Sequence, residues 1–296
     1  MMYKQGIEVI YFAYEPDDRI YVSISRILHQ KVPVRSVRIY VTANVEDDDL
    51  EKRIDDIFKN NAGNIHHEII YVKRNDFGHG KTRQAAMKTS EYEYVLLMTQ
   101  DAVPVNEFLT EKMSEALKNE DAACVYARQE AYPYASEVEK LYRKFNYPTA
   151  SRSKTASDLE KIGIKAFFCS DVCCMYKHEI FDSLGGFDES LKFNEDSIFA
   201  YNALKGGYSV EYAADAVVFH SHDDTIIQQF KRSRALAVSQ KEHPEIFENV
   251  SSENEGMRFF MISAKYLMKK KKYKDIFALF RTCAAKYAGY CAGKRF

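Results

Sequence analysis

Tryptophan is absent from the 296 residues, and glycine (12) and proline (6) are scarce. That excludes collagen-like and elastic chains, while 46% hydrophobic and 29% charged residues exclude an unstructured one. No apolar run approaches the roughly 18 residues needed to span a bilayer. Lys4 and Glu8 interrupt what would be the apolar core of a signal peptide, so a cytoplasmic location is expected. Cysteine is thin as well. Six residues, Cys124, Cys169, Cys173, Cys174, Cys283 and Cys291, follow no repeating spacing, so they read as reduced thiols and not as a disulfide framework.

Net charge is also nearly missing, at -1, but it is unevenly spread. From Met257 to Phe296 the chain carries eleven Lys and Arg against one acid, Asp275, which leaves the rest acidic. Aromatic residues such as Phe259, Tyr273 and Phe280 are interleaved with these charges. Such a tail suits either an anionic membrane surface or a basic helix face docked on the acidic body. Nothing resembles a groove-reading or base-stacking module, so no nucleic-acid partner is expected.

The length suits one large α/β domain, or one of about 200 to 250 residues with an appendage. Apolar runs at 7–14, 37–41, 68–72 and 94–98 read as buried strands, and helical stripes at 21–30, 50–59 and 81–89 separate them. This alternation predicts parallel βαβ order. A helix over 106–118 and a strand over 122–127 follow. Residues 128–165 read as a long polar loop, the kind that serves as a lid or carries function. Residues 167–176 read as a strand, 178–184 and 195–204 as helices, and 210–219 as the last strand. The pattern is helical from Thr225, which divides the chain into 1–224 and a basic helical segment 225–296.

Four clusters hold chemistry. Gly78-His79-Gly80-Lys81-Thr82-Arg83 opens a helix, so free amides and two cations suit an anion such as phosphate. A P-loop needs glycine at position 75, which is Asn, and a plain glycine turn is the simpler alternative. Asp101 follows a buried strand, where a carboxylate can bridge a divalent cation to a diphosphate or merely close an Asx turn. Asn194-Glu195-Asp196 precedes an apolar helix, with Asn194 placed to cap it and the acids either in the first turn or aimed into a cleft as a base. His220 and His222 alternate with Val218 and fall on one strand face, as ligands or as a surface pair. Zinc held by these histidines with Cys169, Cys173 and Cys174 would need an unusual spacing, and buried cysteines are commoner as core.

Taken in order, these strings resemble the inverting family-2 glycosyltransferases of the GT-A fold, and within them the bacterial rhamnosyltransferase branch. The resemblance runs from about Ile7 to Gln240. It is carried by Asp76-Phe77-Gly78-His79-Gly80-Lys81-Thr82-Arg83, by Leu97-Met98-Thr99-Gln100-Asp101-Ala102, and by Arg128-Gln129 with Asn146-Tyr147-Pro148. Gly185-Gly186-Phe187-Asp188, Glu195-Asp196 and Phe219-His220-Ser221-His222 complete it.

The resemblance implies a GT-A sheet holding a nucleoside-diphosphate sugar, dTDP-rhamnose or a UDP-sugar, at residues Tyr14, Thr42, His79, Gly80, Arg83, Gln100 and Asp101. Mg²⁺ or Mn²⁺ would sit on Asp101 and His220, with His222 as alternate. Asp196, beside Glu195, would be the base, and Arg128, Gln129, Asn146 and Tyr147 would meet the acceptor, a surface glycan either free or on a polyprenyl-diphosphate carrier. Three places depart from the pattern: Thr99 stands for the first acid of Asp-x-Asp, Tyr14-Glu15 for Tyr-Asn, and Thr42-Ala43-Asn44 for an acidic turn. A helix-start carboxylate should ionise readily, which makes Asp196 a weak base. The rival readings are a catalytically idle sugar-nucleotide scaffold and a nucleotide hydrolase.

Overall fold

A computed structural model of the chain describes residues 3–61, 65–222, 224–248 and 252–295. In the first half, strands β1 (Lys4–Tyr14), β2 (Val34–Thr42), β3 (His66–Val72) and β4 (Tyr92–Thr99) alternate with helices α1 (Arg19–Leu28), α2 (Asp48–Asn61) and α3 (His79–Lys88). Then come β5 (Val103–Pro104), α4 (Leu109–Ala116), β6 (Ala122–Glu130), α5 (Glu137–Asn146), β7 (Arg152–Lys154) and α6 (Asp158–Ile162). The remainder is β8 (Cys173–Lys177), α7 (His178–Ser183), α8 (Glu195–Lys205), β9 (Ser209–Phe219), α9 (Ile226–Glu242), α10 (Pro244–Phe247), α11 (Ser252–Lys269) and α12 (Tyr273–Arg295).

Among the described residues, nine strands join one sheet, in the order β3-β2-β1-β4-β8-β6-β9-β5, with β7 on β9. β1 to β4 pair in parallel, as the alternation predicts, but β8 runs antiparallel between β4 and β6, and β5 and β7 run antiparallel to β9. The sheet is therefore mixed. Its central strands are buried on both faces, with Ile10, Val95, Leu97 and Tyr176 in one core and Tyr11, Ile39, Leu96 and Met175 in the other. Burial on both sides explains why these strands read as unbroken apolar runs.

Two boundaries differ from expectation. The polar stretch 128–165 is not one loop, because β6 extends to Glu130 and α5 forms over 137–146. The Ser136 hydroxyl caps α5 by accepting from the Glu139 amide at 3.2 Å, acids fill the first turn, and Val138, Leu141, Tyr142 and Phe145 make an i, i+3, i+4, i+7 stripe. Residues 166–172 are not strand. They cross the carboxyl ends of the sheet before β8 begins at Cys173, and this irregular backbone carries Ser170 and Asp171.

The C-terminal helices pack onto the body. Leu267 and Leu279 are buried with Val138 and Phe259 against α5. Gly289 and Gly293 let α12 approach α9 so closely that a Cβ would lie 2.3 Å from the Phe230 carbonyl oxygen and 2.4 Å from that of Arg234. Lys272 pairs with Glu137 at 2.6 Å and Lys286 lies 3.8 Å over the Tyr142 ring, so part of the basic charge is spent on docking. Among the described residues, no helix is long and apolar enough to cross a membrane.

Candidate active site

A cavity of about 1820 Å³ opens at the carboxyl ends of β1, β2 and β4. Tyr14, Thr42, His79, Arg83, Gln100, Asp101, Gln129, Asn146, Tyr147, Glu195, Asp196, His220 and His222 all line it. Positions remote in sequence, around 79, 101, 196 and 220, thus share one wall.

Asp101 sits just past β4, where the Thr99 hydroxyl donates to its Oδ1 at 2.9 Å and the Tyr132 hydroxyl donates to its backbone carbonyl at 3.1 Å. Its Oδ2 lies 3.4 Å from His220 Nε2 and 3.7 Å from His222 Nδ1. The three ligand atoms lie within 4.8 Å of one another. Burial alone would raise the Asp101 carboxyl, but the charge of the two facing imidazoles when they are protonated, together with the Thr99 hydroxyl, outweighs it and brings it well below the usual carboxylate range. Burial drives His220 down to about 4, so that ring is neutral at physiological pH.

The tautomer of His220 follows from its neighbour. Arg143 donates to Gln129 Oε1, and Gln129 Nε2 donates to the Ser170 hydroxyl at 2.9 Å, so Oε1 can only accept from His220 Nδ1, 2.9 Å away. The Nε2 lone pair is left facing Asp101 Oδ2. A lone pair and a carboxylate oxygen at that separation, with a second imidazole beside them, form a donor set suited to a divalent cation, and the Arg19 guanidinium reaches the same Oδ2 at 3.8 Å.

Asp196 occupies the first turn of α8. Its Oδ1 accepts from the Ser197 amide at 2.7 Å and its Oδ2 from the Asp171 amide at 3.3 Å. These bonds do not make it an ordinary helix-start acid. Burial, then the Glu195 charge, push its carboxyl up to about 7, contrary to the expectation of a weak base. Glu195 is buried and committed elsewhere, 3.2 Å from Arg83, which also meets Asp171 at 3.1 Å and stacks 4.8 Å over Phe12. Asn194 holds the expected N-cap position, but with φ of 66° and no side-chain cap; its amide donates instead to the Ser239 hydroxyl on α9 at 3.0 Å.

The glycine loop departs most from expectation. The Gly80 amide donates to the Leu191 carbonyl at 3.1 Å, and a Cβ at Gly80 would lie 2.2 Å from the Asp188 carbonyl oxygen. Gly80 therefore packs against the 188–191 turn and does not line the cavity, and Arg83 is engaged by Glu195 and Asp171, so this loop is no phosphate cradle at those two positions. His79 does face the cavity. Arg83 donates to its Nδ1 at 2.9 Å, and burial followed by the Arg83 charge lowers the imidazole to about 4, leaving a neutral ring with a donor at Nε2.

The remaining expected residues divide. Gln100 clamps the ends of β1 and β4, accepting from the Tyr14 amide at 2.8 Å and donating to its carbonyl at 3.0 Å. Tyr14 is exposed and lies 5.2 Å from the Arg74 guanidinium, while Thr42 is buried at the end of β2. Arg128 turns away from the cavity to pair with Glu130 at 2.9 Å, so it is not on the acceptor wall. Gln129 holds His220 instead of facing open space. Asn146 donates to the Tyr142 carbonyl at 3.1 Å and Tyr147 is buried. Ser170, Asp171, Glu139 and Arg143 were not singled out in the sequence. The α5 stripe with its Ser136 cap was the signal that could have drawn attention to the last two.

A sequence profile of glycosyl transferase family 2 matches residues 9–185. The chain is 32% identical over 238 residues to the O-antigen chain rhamnosyltransferase WbaN of Salmonella anatum, covering 80% of this chain and 75% of that one. The chain belongs to glycosyl transferase family 2. This glycosyltransferase is also 32% identical over 228 residues to the O-antigen chain rhamnosyltransferase RfbN of Salmonella typhimurium, across 76% and 72% of the two chains. In fold it is similar to the mannosyltransferase PcManGT from Pyrobaculum calidifontis, solved with GDP-Man and Mn²⁺, at a TM-score of 0.59 and 15% identity over 97% of this chain and 76% of that one. Its sheet and helices are those of the GT-A glycosyltransferases.

Proposed function

We propose that this glycosyltransferase moves L-rhamnose from a nucleoside diphosphate, with inversion, onto a growing O-antigen glycan held on a polyprenyl-diphosphate carrier. One observation carries the reading: the Asp196 carboxylate and the Asp101–His220–His222 set line one cavity and are linked through the adjoining residues Ser170 and Asp171. The two Salmonella relatives, both named as O-antigen rhamnosyltransferases, support the sugar and the acceptor class.

Inversion needs a base on one side of the anomeric carbon and charge stabilisation at the leaving group. Asp196, raised to about 7, is matched to take the proton of an attacking hydroxyl near neutral pH. Asp101, His220 and His222 would hold Mg²⁺ or Mn²⁺, whose chemistry when bound is to neutralise the departing diphosphate. His79 offers a neutral N–H donor toward the same space. Tyr14, Thr42 and Gln100 would frame the nucleoside at the strand ends.

The acceptor would enter past Asn146 and Tyr147, where the cavity turns apolar along Phe145, Phe259, Phe260 and Phe280. Met257, Met261, Met268, Tyr273 and Phe277 are exposed on α11 and α12, with Lys269, Lys270 and Lys271 between them. That mixture suits peripheral attachment to the anionic inner face of the cell membrane, where a lipid-linked acceptor resides. Residues 1–224 would then be the transferase domain and 225–296 a segment that both walls the cleft and meets the lipid.

A thermal-shift panel of nucleotide sugars with and without Mn²⁺ tests donor and metal, followed by transfer to a lipid-linked acceptor. Stabilisation by dTDP-rhamnose that requires Mn²⁺, with sugar transfer abolished in Asp196→Asn, is the expected result. Binding without release of nucleotide from any donor would identify an idle scaffold.

A further inference from the structure

Beneath the floor of the cleft, three cysteines from separate parts of the chain converge: Cys124 on β6, Cys169 in the crossing segment and Cys174 on β8. Cys169 Sγ lies 4.0 Å from Cys124 Sγ and 3.5 Å from Cys174 Sγ, and the three sulfurs lie within 4.8 Å of one another. Cys173, next in sequence, points to the opposite face and packs in the other core, and the histidines form a separate cluster with Asp101. All three thiols are buried, but Cys169 also lines the cleft, so the cluster has an entrance.

A second observation stands beside it. Lys154 is buried, and its ammonium donates to the Tyr126 hydroxyl at 3.2 Å and to the Phe168 carbonyl, both neutral, with its nitrogen 4.6 Å from the Tyr126 ring centre. Among the described residues it forms no ion pair with a carboxylate, and the three cysteine sulfurs, once ionised, are the groups whose charge would stabilise it. A buried ammonium without a counter-ion is unfavourable. The cysteines can supply that counter-ion once a metal ion has displaced their protons.

We propose that Cys124, Cys169 and Cys174 form a binding site for a soft, thiophilic divalent cation of the zinc and cadmium type, distinct from the Asp101 site and independent of the sugar-transfer reading. With metal–sulfur bonds of about 2.3 Å, three thiolates around one ion stand roughly 3.8 to 4.0 Å apart, close to the spacing already present. Binding M²⁺ converts three thiols to thiolates and releases three protons to water; the complex carries one negative charge, which the Lys154 ammonium balances. Soft sulfur ligands reject the hard cations that oxygen ligands prefer, so Mg²⁺ and Mn²⁺ do not compete there. Because Ser170 and Asp171 follow Cys169 directly, an ion at the triad also stiffens the segment that supports Gln129 and Asp196.

The test is a Cd²⁺ titration of the full chain, purified with chelator and reductant and then transferred to metal-free, oxygen-free buffer. Ultraviolet sulfur-to-cadmium charge-transfer absorption should saturate at one ion per chain, native mass spectrometry should show one ion bound, and a pH-indicator titration in weak buffer should record three protons released per ion. Cys169→Ser and Cys124→Ser should each remove the band, while Cys283→Ser with Cys291→Ser, and Asp101→Ala, should keep it. An absent band, a band that survives both single substitutions in folded protein, or fewer than three protons released to solution per ion overturns the site. Should the serine variants not fold, the wild-type stoichiometry, proton count and displacement of bound Zn²⁺ by Cd²⁺ decide it alone.

Discussion

The side-chain oxygen of Gln129 lies 2.9 Å from Nδ1 of His220, across 91 residues of sequence, and sets which nitrogen of that imidazole faces Asp101. Loss of such an orienting partner typically costs 10- to 100-fold in metal affinity or activity. Gln129→Leu should therefore weaken Mn²⁺ binding by about that factor, measured by the loss of the free-ion resonance signal on titration. Gln129→Glu keeps an acceptor toward Nδ1 and should recover most of the affinity. Equal affinities in the leucine variant and the wild type would remove Gln129 from this role.

Asp196→Asn should lower turnover by about 10²- to 10⁴-fold while leaving donor affinity unchanged in calorimetry. Because the base must be ionised, wild-type kcat/KM should rise with pH and level off above about 7, the value to which burial and Glu195 bring the carboxyl. The same shift acts on stability with the opposite sense. The folded state holds the proton up to about pH 7 and the unfolded chain loses it near 4, so wild-type stability drains away between those values. Above neutrality the asparagine variant should consequently melt higher than the wild type, and the gap should close in acid. A flat difference across pH would mean that the carboxyl is not buried as described.

Gly80→Ala places a methyl group where the Asp188 carbonyl oxygen lies 2.2 Å away, and both partners are backbone. Overpacking of this kind costs about 1 to 3 kcal/mol. The melting temperature should fall by about 2 to 4 °C for each of those. Turnover should fall too, since His79 moves with the start of α3. An unshifted melting curve would show that the 188–191 turn yields freely.

Lys269→Glu, Lys270→Glu and Lys271→Glu, combined, should reduce sedimentation with phosphatidylglycerol vesicles at low salt, at about 1 kcal/mol for each basic residue lost near the surface. All three are exposed, so the fold should be unaffected. Deleting 257–296 is the poorer probe, because it removes Leu267 and Leu279 from their packing on Val138 and strips Phe259 and Phe280 from the cleft. Sedimentation equal to wild type would leave the basic helices with their docking role only.

Much was legible in the residues alone, for a physical reason. The runs at 7–14, 37–41 and 94–98 are buried on both faces, so their composition announces strands whatever surrounds them, and Asp101 and His220 lie just past strand ends, where side chains must emerge. The alternation at 218–222 likewise set both histidines on one face. Local pattern says nothing, however, about what a side chain finds across the sheet. Gly80 had the look of a phosphate loop, and only the 188–191 turn, packed against it from a hundred residues away, occupies its amide. Arg83 was legible as a cation but not as one held between Asp171 and Glu195. The ionisation of Asp196 depends on burial beneath other segments, which no helix-start rule contains. Cys124 reached Cys169 and Cys174 because β8 runs antiparallel beside β6, a pairing decided by the whole sheet.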